Sequence, residues 1–570
     1  MRWQISTVDT EAVARLAREL GVPPLVARLL VLRGLAEPEA AERFLDPSLA
    51  QLHDPFLMAD MRAAVERLGQ AIERQEKILI YGDYDVDGTM AAVVLLTALR
   101  ALGAKVEVHI PRRLTDGYGM RVPVVERAQA EGYSVVLSVD TGVREHEVLA
   151  RARELGLDCI VTDHHLPDSH LPPACAILNP RREDCAYPEK NLSGVGVAFK
   201  LVQALLGPRL TERQVQSYLK VVALGTIADV VPLVGENRVM AHFGLAGMRE
   251  PAQAGLAALL AVAGLERRAV TTGDVAFRLA PRLNAAGRME DAREVIELFT
   301  TSDPARARAI AERLESLNRD RQRVEDEILG MIVDLLQQRP EKARRYTLVF
   351  SGEGWHRGVI GIVAQRVVDR YHRPALVIGV EEGVGVGSGR SIKGFHLLAA
   401  LSQASDLFDR FGGHAQAVGF ALPAERIGEL EMRFERHARA VLAPDDLEPA
   451  LRVDAEVRLA ELDSKLYEEV RRLEPYGFGN PTPVFVARDA GLTAPPRILK
   501  EKHLKLRVAQ GAAAYDALGW NMAGQAAGLA AGQRVDLAFT LDENTFQDVT
   551  TLQLVVRDVR ASGEWERVEG

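Results

Sequence analysis

The chain has 570 residues, of which 47% are hydrophobic and 26% are charged. This length exceeds one ordinary core of about 100–200 residues and predicts roughly three or four domains. The composition excludes a wholly disordered chain, a collagen and a disulfide scaffold, and no apolar run approaches the ~18 residues of a transmembrane helix.

The N-terminus, the cysteines and the net charge further restrict the class of protein to which this chain can belong. MRWQISTVDTEAVARL lacks an apolar segment, so no signal peptide is expected. Cys159, Cys175 and Cys185 lack CxxC spacing and predict reduced thiols in a cytosolic protein. The net charge of −9 argues mildly against nucleic-acid binding, although a metal site built from carboxylates would itself add negative charge.

Helices and strands alternate after a short N-terminal part. Residues 1–60 predict short helices and turns. Apolar strands are then predicted at 77–82, 105–110, 133–139 and 158–162, with amphipathic helices around them. Strands that alternate with helices of about 10–15 residues indicate βαβ units and a parallel sheet covered on both faces.

The remaining chain is mainly helical to about residue 340. Asp303 and Pro304 begin a long, charged helix that ends near Pro340. We interpret this helix as a strut between two lobes, since the sustained heptads of a coiled-coil dimer, the alternative, are lacking. Residues 345–442 predict a second α/β unit, and the short strands of 450–570 predict a small β-barrel.

Acidic and imidazole groups follow three of the predicted strands. Ligands of open parallel sheets bind beyond the carboxyl ends of the strands, so these groups are expected at one edge. They are Asp83, Asp85 and Asp87 after the first strand, Asp140 after the third, and Asp163, His164 and His165 after the fourth.

Other interpretations of the acidic motif are weaker. A calcium loop that began at Asp83 would need glutamate at its twelfth position, where Val94 stands. Asp87 could instead only cap the following helix. Asp229 lies in the apolar run VVALGTIADVVPL, where a charge is costly unless it is paired or bound to metal. The alternative is an Asp229 on an exposed helix face.

One interpretation joins these groups. Oxygen and imidazole ligands suit Mn²⁺ or Mg²⁺ better than structural zinc. So many carboxylates in one cleft would repel each other strongly without a cation, and two divalent ions can activate water and stabilise displacement at phosphorus. The sequence therefore predicts metal-dependent phosphoester hydrolysis.

Motifs along most of the chain resemble the DHH phosphoesterase superfamily. Four occur in its order: GDYDVDG (82–88), VDTG (139–142), DHH (163–165) and ALGTIADVVPL (223–233). Four more resemble its RecJ branch, the bacterial single-strand-specific 5′→3′ exodeoxyribonucleases: PRLNAAGRM (281–289), GWHRGVIGIVAQRVVDRYHRPALVIG (354–379), GSGRSIKGF (387–395) and RFGGHAQAVGF (410–420). The resemblance runs from about residue 20 to the C-terminus.

The resemblance implies an α/β architecture in which a parallel-sheet DHH domain is joined by a long helix to a second α/β domain, followed by an OB-fold barrel. The predicted divisions are an N-terminal helical segment (1–60), a DHH catalytic domain (61–302), a connecting helix (303–340), a DHH-associated domain (341–445) and an OB-fold domain that binds DNA (446–570).

The resemblance also implies roles at the acidic site. His165 would contact the scissile phosphate, and Asp83 and Asp163 would support catalysis as supplementary ligands or as partners of the ligands. The ligands of two Mn²⁺ or Mg²⁺ ions would be Asp85, Asp87, Asp140, His164 and Asp229.

Recognition of a DNA end needs groups that hold phosphate, and arginine does so bidentately. Ser388 and Arg390 lie in a glycine-rich stretch that we predict to be a loop with amides facing a phosphate. The basic run RILKEKHLKLR (497–507) suits a single-stranded backbone, although a solvated strand is the alternative. The candidates for substrate binding are Arg113, Arg282, Arg288, Ser388, Arg390, His414, Trp355 and His356.

The function expected from these features is a single-stranded-DNA-specific 5′→3′ exodeoxyribonuclease of repair and recombination that releases 5′-mononucleotides. The alternatives are another DHH phosphoesterase, such as an oligoribonuclease or a cyclic-dinucleotide phosphodiesterase, and a non-catalytic replication scaffold. Single-stranded DNA with a 5′ end is the expected partner. The family implies a single-strand-binding protein and a RecQ-type helicase as further partners, and we expect a cytoplasmic monomer without membrane contact.

Overall fold

The computed structural model describes residues 1–113, 116–117, 119–547, 549–563 and 568–569. None of the helices described there is both long enough and apolar enough to cross a membrane. The chain forms two compact units, the first composed of His53–Val231 and Phe243–Pro449, the second of Met1–Leu52, Pro232–His242 and Ala450–Gly570.

A five-stranded, fully parallel sheet forms the first half of the first unit, which confirms the predicted βαβ pattern. Its strands are buried because helices cover both faces. The fifth strand, Ala176–Leu178, was not predicted, since three residues are too short to show a period. The strand order is Lys105–His109, Lys77–Tyr81, Tyr133–Val139, Asp158–Thr162 and Ala176–Leu178.

One helix of this half, Val86–Ala101, is buried on nearly every side. It packs against helices Gly194–Leu206 and Glu212–Ala228, so it has no polar face. The helices between residues 61 and 300 are Met61–Glu73, Val86–Ala101, Val122–Ala130, His146–Glu154, Gly194–Leu206, Glu212–Ala228, Gly235–Gly247, Ala254–Val262, Thr272–Asp274, Ala280–Met289 and Arg293–Thr300, with a π-helical turn at Val275–Leu279.

The long helix is Pro304–Gln338, with Asp303 as its N-cap and proline at its start. Its 35 residues extend over about 52 Å. The first half packs against helices Ala254–Val262 and Ala280–Met289, and the second half against Ile360–Tyr371. The helix therefore links the two halves of the first unit as a strut, and its buried stripe is covered by this chain's own helices.

The second half of the first unit is a mixed five-stranded sheet. Only the pairing of Leu348–Glu353 with Ala375–Glu381 is parallel. The strand order is Arg410–Gly413, Ala417–Pro423, Val384–Arg390, Ala375–Glu381 and Leu348–Glu353, and the helices are Ile360–Tyr371, Leu397–Ser402 and Ile427–Val441, with the short helix Pro340–Ala343 before the first strand.

The glycine-rich stretch corrects one prediction, because Val384–Arg390 is a strand of this sheet and not a loop. A Cβ at Gly387 would clash with the ring of Phe420, and one at Gly389 would come within 2.7 Å of Val418. The alternating glycines thus make room for neighbouring side chains. Since side chains alternate along a strand, Ser388 and Arg390 share the opposite face.

The second unit contains the predicted barrel. Pairing of Phe485–Leu492 with both Arg534–Phe546 and His503–Gln510 closes its sheet. The strand order is Ala455–Glu456, Phe485–Leu492, Arg534–Phe546, Val549–Ala561, Ala513–Gly519, His503–Gln510 and Arg497–Leu499; the helices of the unit are Thr10–Leu20, Pro24–Val31, Pro38–Leu45 and Ser464–Arg471.

The N-terminal residues differ from their prediction as turns and helices. Arg2–Ile5 is the central strand of a three-stranded sheet between Ala450–Val453 and Val568–Glu569. Trp3 is buried, and its indole Nε1 donates to Asp558 Oδ2 at 2.8 Å. The strand depends on partners far away in sequence, which a local pattern of four residues does not reveal.

Candidate metal centre

The predicted acidic groups meet at one edge of the parallel sheet. Strands Lys77–Tyr81, Tyr133–Val139 and Asp158–Thr162 are direct neighbours, so the residues after their carboxyl ends converge. In the part of the chain that it describes, the structure contains three sets of residues that could each hold a metal ion, and within each set the ligand atoms all lie within 4.8 Å of one another. The sets are Asp83, Asp85 and Asp140; Asp140, His164 and His165; and Asp87, His164 and Asp229.

The turn after the first strand separates the roles of its aspartates. Asp85 is the helix cap, since its Oδ1 accepts from Gly88 N at 3.0 Å. The capping interpretation of Asp87 is therefore wrong. Asp87 is fully buried and accepts from the backbone N–H groups of Gly194 at 2.6 Å and Val195 at 2.9 Å, where a helix N-terminus favours its negative charge.

His164 lies between three carboxylates. Its Nε2 is 3.1 Å from Asp140 Oδ1, 3.5 Å from Asp229 Oδ2 and 3.9 Å from Asp87 Oδ2. Nevertheless, neither His164 Nε2 nor Asp140 Oδ1 makes a well-oriented hydrogen bond to any described residue. Buried polar atoms that converge without bonding each other are arranged as ligands of a common ion.

Asp163 holds the second histidine in place. Its Oδ1 lies 2.7 Å from His165 Nδ1 and accepts from the backbone N–H groups of His164 and His165, while its Oδ2 accepts from Val143 N at 3.0 Å. An ionised carboxylate only accepts hydrogen bonds, so His165 carries its proton on Nδ1.

Without a cation, the buried carboxylates of this site repel one another when they are ionised. Burial and neighbouring carboxylates raise the pKa values of Asp83, Asp140 and Asp229 well above the ordinary value, and that of Asp87 to about 7. Burial and the charge of His165 lower the pKa of His164 to about 3. A neutral imidazole is the form that binds metal.

Divalent cations fit this arrangement. The carboxylates are buried together, the unbonded atoms of Asp140 and His164 face each other, and oxygen with imidazole donors suits Mn²⁺ or Mg²⁺. Asp140 and His164 each belong to two of the three ligand sets. Two neighbouring ions that share ligands would satisfy this geometry.

Glycines allow the acidic groups to approach their neighbours. A Cβ at Gly225 would lie 2.8 Å from Asp87 Oδ1 and 2.7 Å from Val195 Cγ1, and one at Gly194 would lie 2.7 Å from Asp140 Oδ1. All three contacts are closer than ordinary packing permits. These glycines therefore determine where the carboxylates of Asp87 and Asp140 stand.

We expect Gly225→Ala to weaken Mn²⁺ binding by about tenfold to 100-fold, because the methyl group displaces Asp87. Calorimetric titration of the folded variant with Mn²⁺ measures this loss. Gly330→Ala, on the long helix with open space around its Cα, is the control and should bind as the unsubstituted protein does. Equal affinities for both variants would contradict the role given to Gly225.

Basic residues and carboxylates of the metal centre line one cavity, which measures about 500 Å³. We call the acidic groups of the metal centre the acidic wall, and the basic residues the basic wall. Arg113 and Arg288 come from the first half of the unit, and Ser388, Arg390 and His414 from the second half. Arg390 Nη1 lies 3.1 Å from Ser388 Oγ. The structure thus brings five of the predicted substrate-binding residues into one cavity with Asp83, Asp85, Asp87 and Asp229.

The arginines of this wall repel one another. Burial and the charges of Arg113 and Arg390 lower the pKa of Arg288 to about 9. Burial and Arg113 likewise lower the pKa of Arg390. Burial, Arg390 and His165 lower the pKa of His414, so this histidine lies within electrostatic reach of both walls. An anion between these groups would relieve their repulsion.

Three predicted substrate-binding residues do not line this cavity. Arg282 forms an ion pair with Glu315 of the long helix at 2.6 Å. Trp355 and His356 line a separate cavity of about 340 Å³.

Sequence reasoning missed two residues with polar side chains that line the cavity. Asn284 stands four residues before Arg288 on helix Ala280–Met289, so both lie on one face of that helix. This spacing within PRLNAAGRM could have indicated it. Tyr84 lies between two aspartates, and the guanidinium of Arg113 is 5.0 Å from its ring centroid. No sequence signal distinguishes Tyr84 from a turn residue.

Comparison with known proteins identifies the domains of the chain. Residues 77–226 match the DHH family N-terminal domain, residues 345–439 the DHHA1 domain and residues 453–558 the RecJ OB domain. The crystal structure of RecJ in complex with Mn²⁺ from Thermus thermophilus is similar with a TM-score of 0.85 and 32% sequence identity, covering 100% of this chain and 80% of that chain.

Curated relatives extend over nearly the whole chain. A single-stranded-DNA-specific exonuclease RecJ of Bacillus subtilis is 37% identical over 569 residues, which cover 99% of this chain and 71% of the relative. A protein of the same name from Dickeya dadantii is 36% identical, with coverage of 94% and 96%. The chain therefore belongs to the RecJ family of single-stranded-DNA-specific exonucleases.

Proposed function

We propose that this chain removes mononucleotides from the 5′ end of single-stranded DNA by metal-dependent hydrolysis, in repair and recombination. The observation that carries this proposal is a cavity that carboxylates line together with Arg113, Arg288 and Arg390. Its size, about 500 Å³, falls in the range of sites for small ligands and suits one terminal nucleotide.

The acidic wall supplies the chemistry. We propose Asp85, Asp87, Asp140, His164 and Asp229 as the ligands of two divalent ions, with Asp83 beside them. Bound ions would activate water and stabilise negative charge on the reacting phosphate. The residues themselves hold the geometry, since the buried side chain of Asp87 is fixed by two backbone N–H groups.

The basic wall would determine that the reaction proceeds from the 5′ end of the strand. A 5′-terminal phosphate would lie against Arg288, Arg390 and Ser388, where guanidinium groups bind it bidentately. The next phosphate along the strand would then lie at the acidic wall. Arg113 is pre-oriented over Tyr84, which reduces the entropy lost when it closes on the anion.

His165 would contact the scissile phosphate, with its ring oriented by Asp163. We expect Asp163→Asn to lower kcat by about tenfold to 100-fold, because the ring loses its fixed orientation, while KM for DNA changes little. Steady-state kinetics on single-stranded DNA measures both. Asp168→Asn, an exposed residue that pairs with Arg144 and His146, is the control. An unchanged kcat for Asp163→Asn would contradict this role.

Substrate comparison tests the proposed function against its alternatives. Purified protein with Mn²⁺ would receive 5′-phosphorylated single-stranded DNA, the same strand in blunt duplex, and dinucleotides. We expect rapid digestion of the single strand and little of the duplex. Faster turnover of dinucleotides than of long DNA would favour an oligoribonuclease-like enzyme, and failure to bind Mn²⁺ would favour a scaffold.

Partners and location follow from the same proposal. Single-stranded DNA is the substrate that the RecJ relatives are named for. A single-strand-binding protein and a RecQ-type helicase would supply such strands, and we propose a cytoplasmic monomer. The basic run at 497–507 would guide the strand, with Lys505 and Arg507 both paired to Asp516 in its absence. Arg282, Trp355 and His356 stay predicted substrate contacts.

A further inference from the structure

Arg288 and Gly358 contact each other in two ways. The guanidinium Nη1 of Arg288 donates to the carbonyl oxygen of Gly358 at 3.2 Å. In addition, a Cβ at Gly358 would clash with the carbonyl oxygen of Arg288. Both the backbone and the side-chain head of this arginine therefore rest on one glycine of the turn that follows strand Leu348–Glu353.

The surroundings of Arg288 disfavour its charged guanidinium group, so this group needs a contact that holds it in place. Burial and the like charges of Arg113, Arg390 and Arg321 all disfavour its charged form. A guanidinium repelled by its neighbours would move away from them unless an acceptor fixed it. The carbonyl oxygen of Gly358 is such an acceptor and remains available whether or not a phosphate is bound.

The turn that presents Gly358 is itself rigid. His356 Nδ1 accepts from Gly358 N at 3.1 Å, and His356 O accepts from Val359 N at 2.9 Å and Ile360 N at 3.2 Å. These bonds lead directly into helix Ile360–Tyr371. The side-chain bond of His356 thus fixes the peptide whose glycine carries Arg288.

Trp355 anchors the same turn to the second sheet. Its indole covers Gly352 so closely that a Cβ there would clash with the ring, and its backbone carbonyl occupies the space of a Cβ at Gly379. Met289, next to Arg288, also packs against the hydrophobic core of this half. The turn and the residue next to Arg288 are therefore both packed against the second sheet and its core.

We infer that the turn Trp355–Gly358 positions Arg288 for the 5′-terminal phosphate, and that His356 and Gly358 are positioning residues for end recognition. This role is additional to the direct substrate contact predicted for Trp355 and His356, and it rests on the proposed function. It also links the sheet that carries Ser388 and Arg390 to the arginine of the other half, so that the three phosphate-binding side chains keep one spacing.

The test measures kcat/KM for single-stranded DNA with a 5′-phosphate and with a 5′-hydroxyl, and uses the ratio of the two. Gly358→Ala displaces Arg288, and His356→Ala removes the acceptor that fixes the turn. Each should lower the ratio about tenfold. His356→Asn should keep the ratio of the unsubstituted protein, because asparagine also accepts from an N–H two residues on. Gly428→Ala, with open space at its Cα, is the matched control.

A double variant separates positioning from general damage. If Gly358 acts through Arg288, then Gly358→Ala should lower the ratio no further in an Arg288→Ala background. Equal losses on both substrates, additive effects, or an unchanged ratio in folded Gly358→Ala and His356→Ala would overturn the inference alone. A ratio near one in the unsubstituted protein would overturn the proposed end recognition together with it.

Discussion

Replacement of Asp140 by asparagine is expected to lower the rate of DNA digestion by at least about 10³-fold, a barrier increase of roughly 4 kcal/mol. Asp140 is 2% exposed, belongs to two of the three ligand sets and lies 3.1 Å from His164 Nε2. Its loss would affect both proposed ions at once. Single-turnover digestion of end-labelled DNA in Mn²⁺ measures the effect.

The same variant should be more stable than the unsubstituted protein when metal is absent. The raised pKa of Asp140 means that its ionised form opposes folding at neutral pH, and asparagine removes that charge. Mn²⁺ should raise the Tm of the unsubstituted protein and much less that of the variant. Asp320→Asn, an exposed residue of the long helix, is the control. A fully active Asp140→Asn would refute the metal assignment.

Replacement of Arg390 by alanine is expected to lower kcat/KM for 5′-phosphorylated single-stranded DNA by about 100-fold, since a buried charged hydrogen bond is worth about 2–5 kcal/mol. The loss on 5′-hydroxyl DNA should be much smaller, because that end carries no phosphate for Arg390 and Ser388 to hold. Initial rates at several DNA concentrations, with each type of end, give both numbers.

Arg308→Ala provides the matched control for this substitution. Arg308 is an exposed arginine of the long helix that pairs with Glu312 at 2.9 Å. Its removal should leave both rates within about twofold, as expected for a surface ion pair. If Arg390→Ala lowered kcat/KM equally for both substrates, or if Arg308→Ala lowered it by as much, the assignment of Arg390 to the terminal phosphate would be wrong.

The acidic wall was predictable because parallel strands impose a simple rule. Each group except Asp229, which follows helix Glu212–Ala228, lies after the carboxyl end of a short apolar strand, and such ends meet at one edge. Asp140 and Asp163 could therefore be placed together although 22 residues separate them. Which aspartate caps the helix was not predictable, since the choice between Asp85 and Asp87 depends on the backbone path of the turn.

Features that depend on partners far away in the chain could not be predicted from the sequence. The glycines before Arg390 indicate a loop by composition, yet they belong to a strand because Phe420 and Val418 of the next strand fill the space beside them. Strand Arg2–Ile5 likewise needs residues near 450 to form. The distinction between Arg288 inside the cavity and Arg282 paired with Glu315 follows from helix rotation, which no local motif reports.

The most direct test follows single-stranded DNA with a 5′-phosphate, labelled at either end, during digestion in Mn²⁺ and then in EDTA. We expect the 5′ label to appear at once as mononucleotide, the 3′ label to stay in long products until late, and EDTA to stop both. That result would show that the basic wall and the acidic wall act in the same reaction. Early release of the 3′ label, internal cutting, or digestion that continues in EDTA would contradict it.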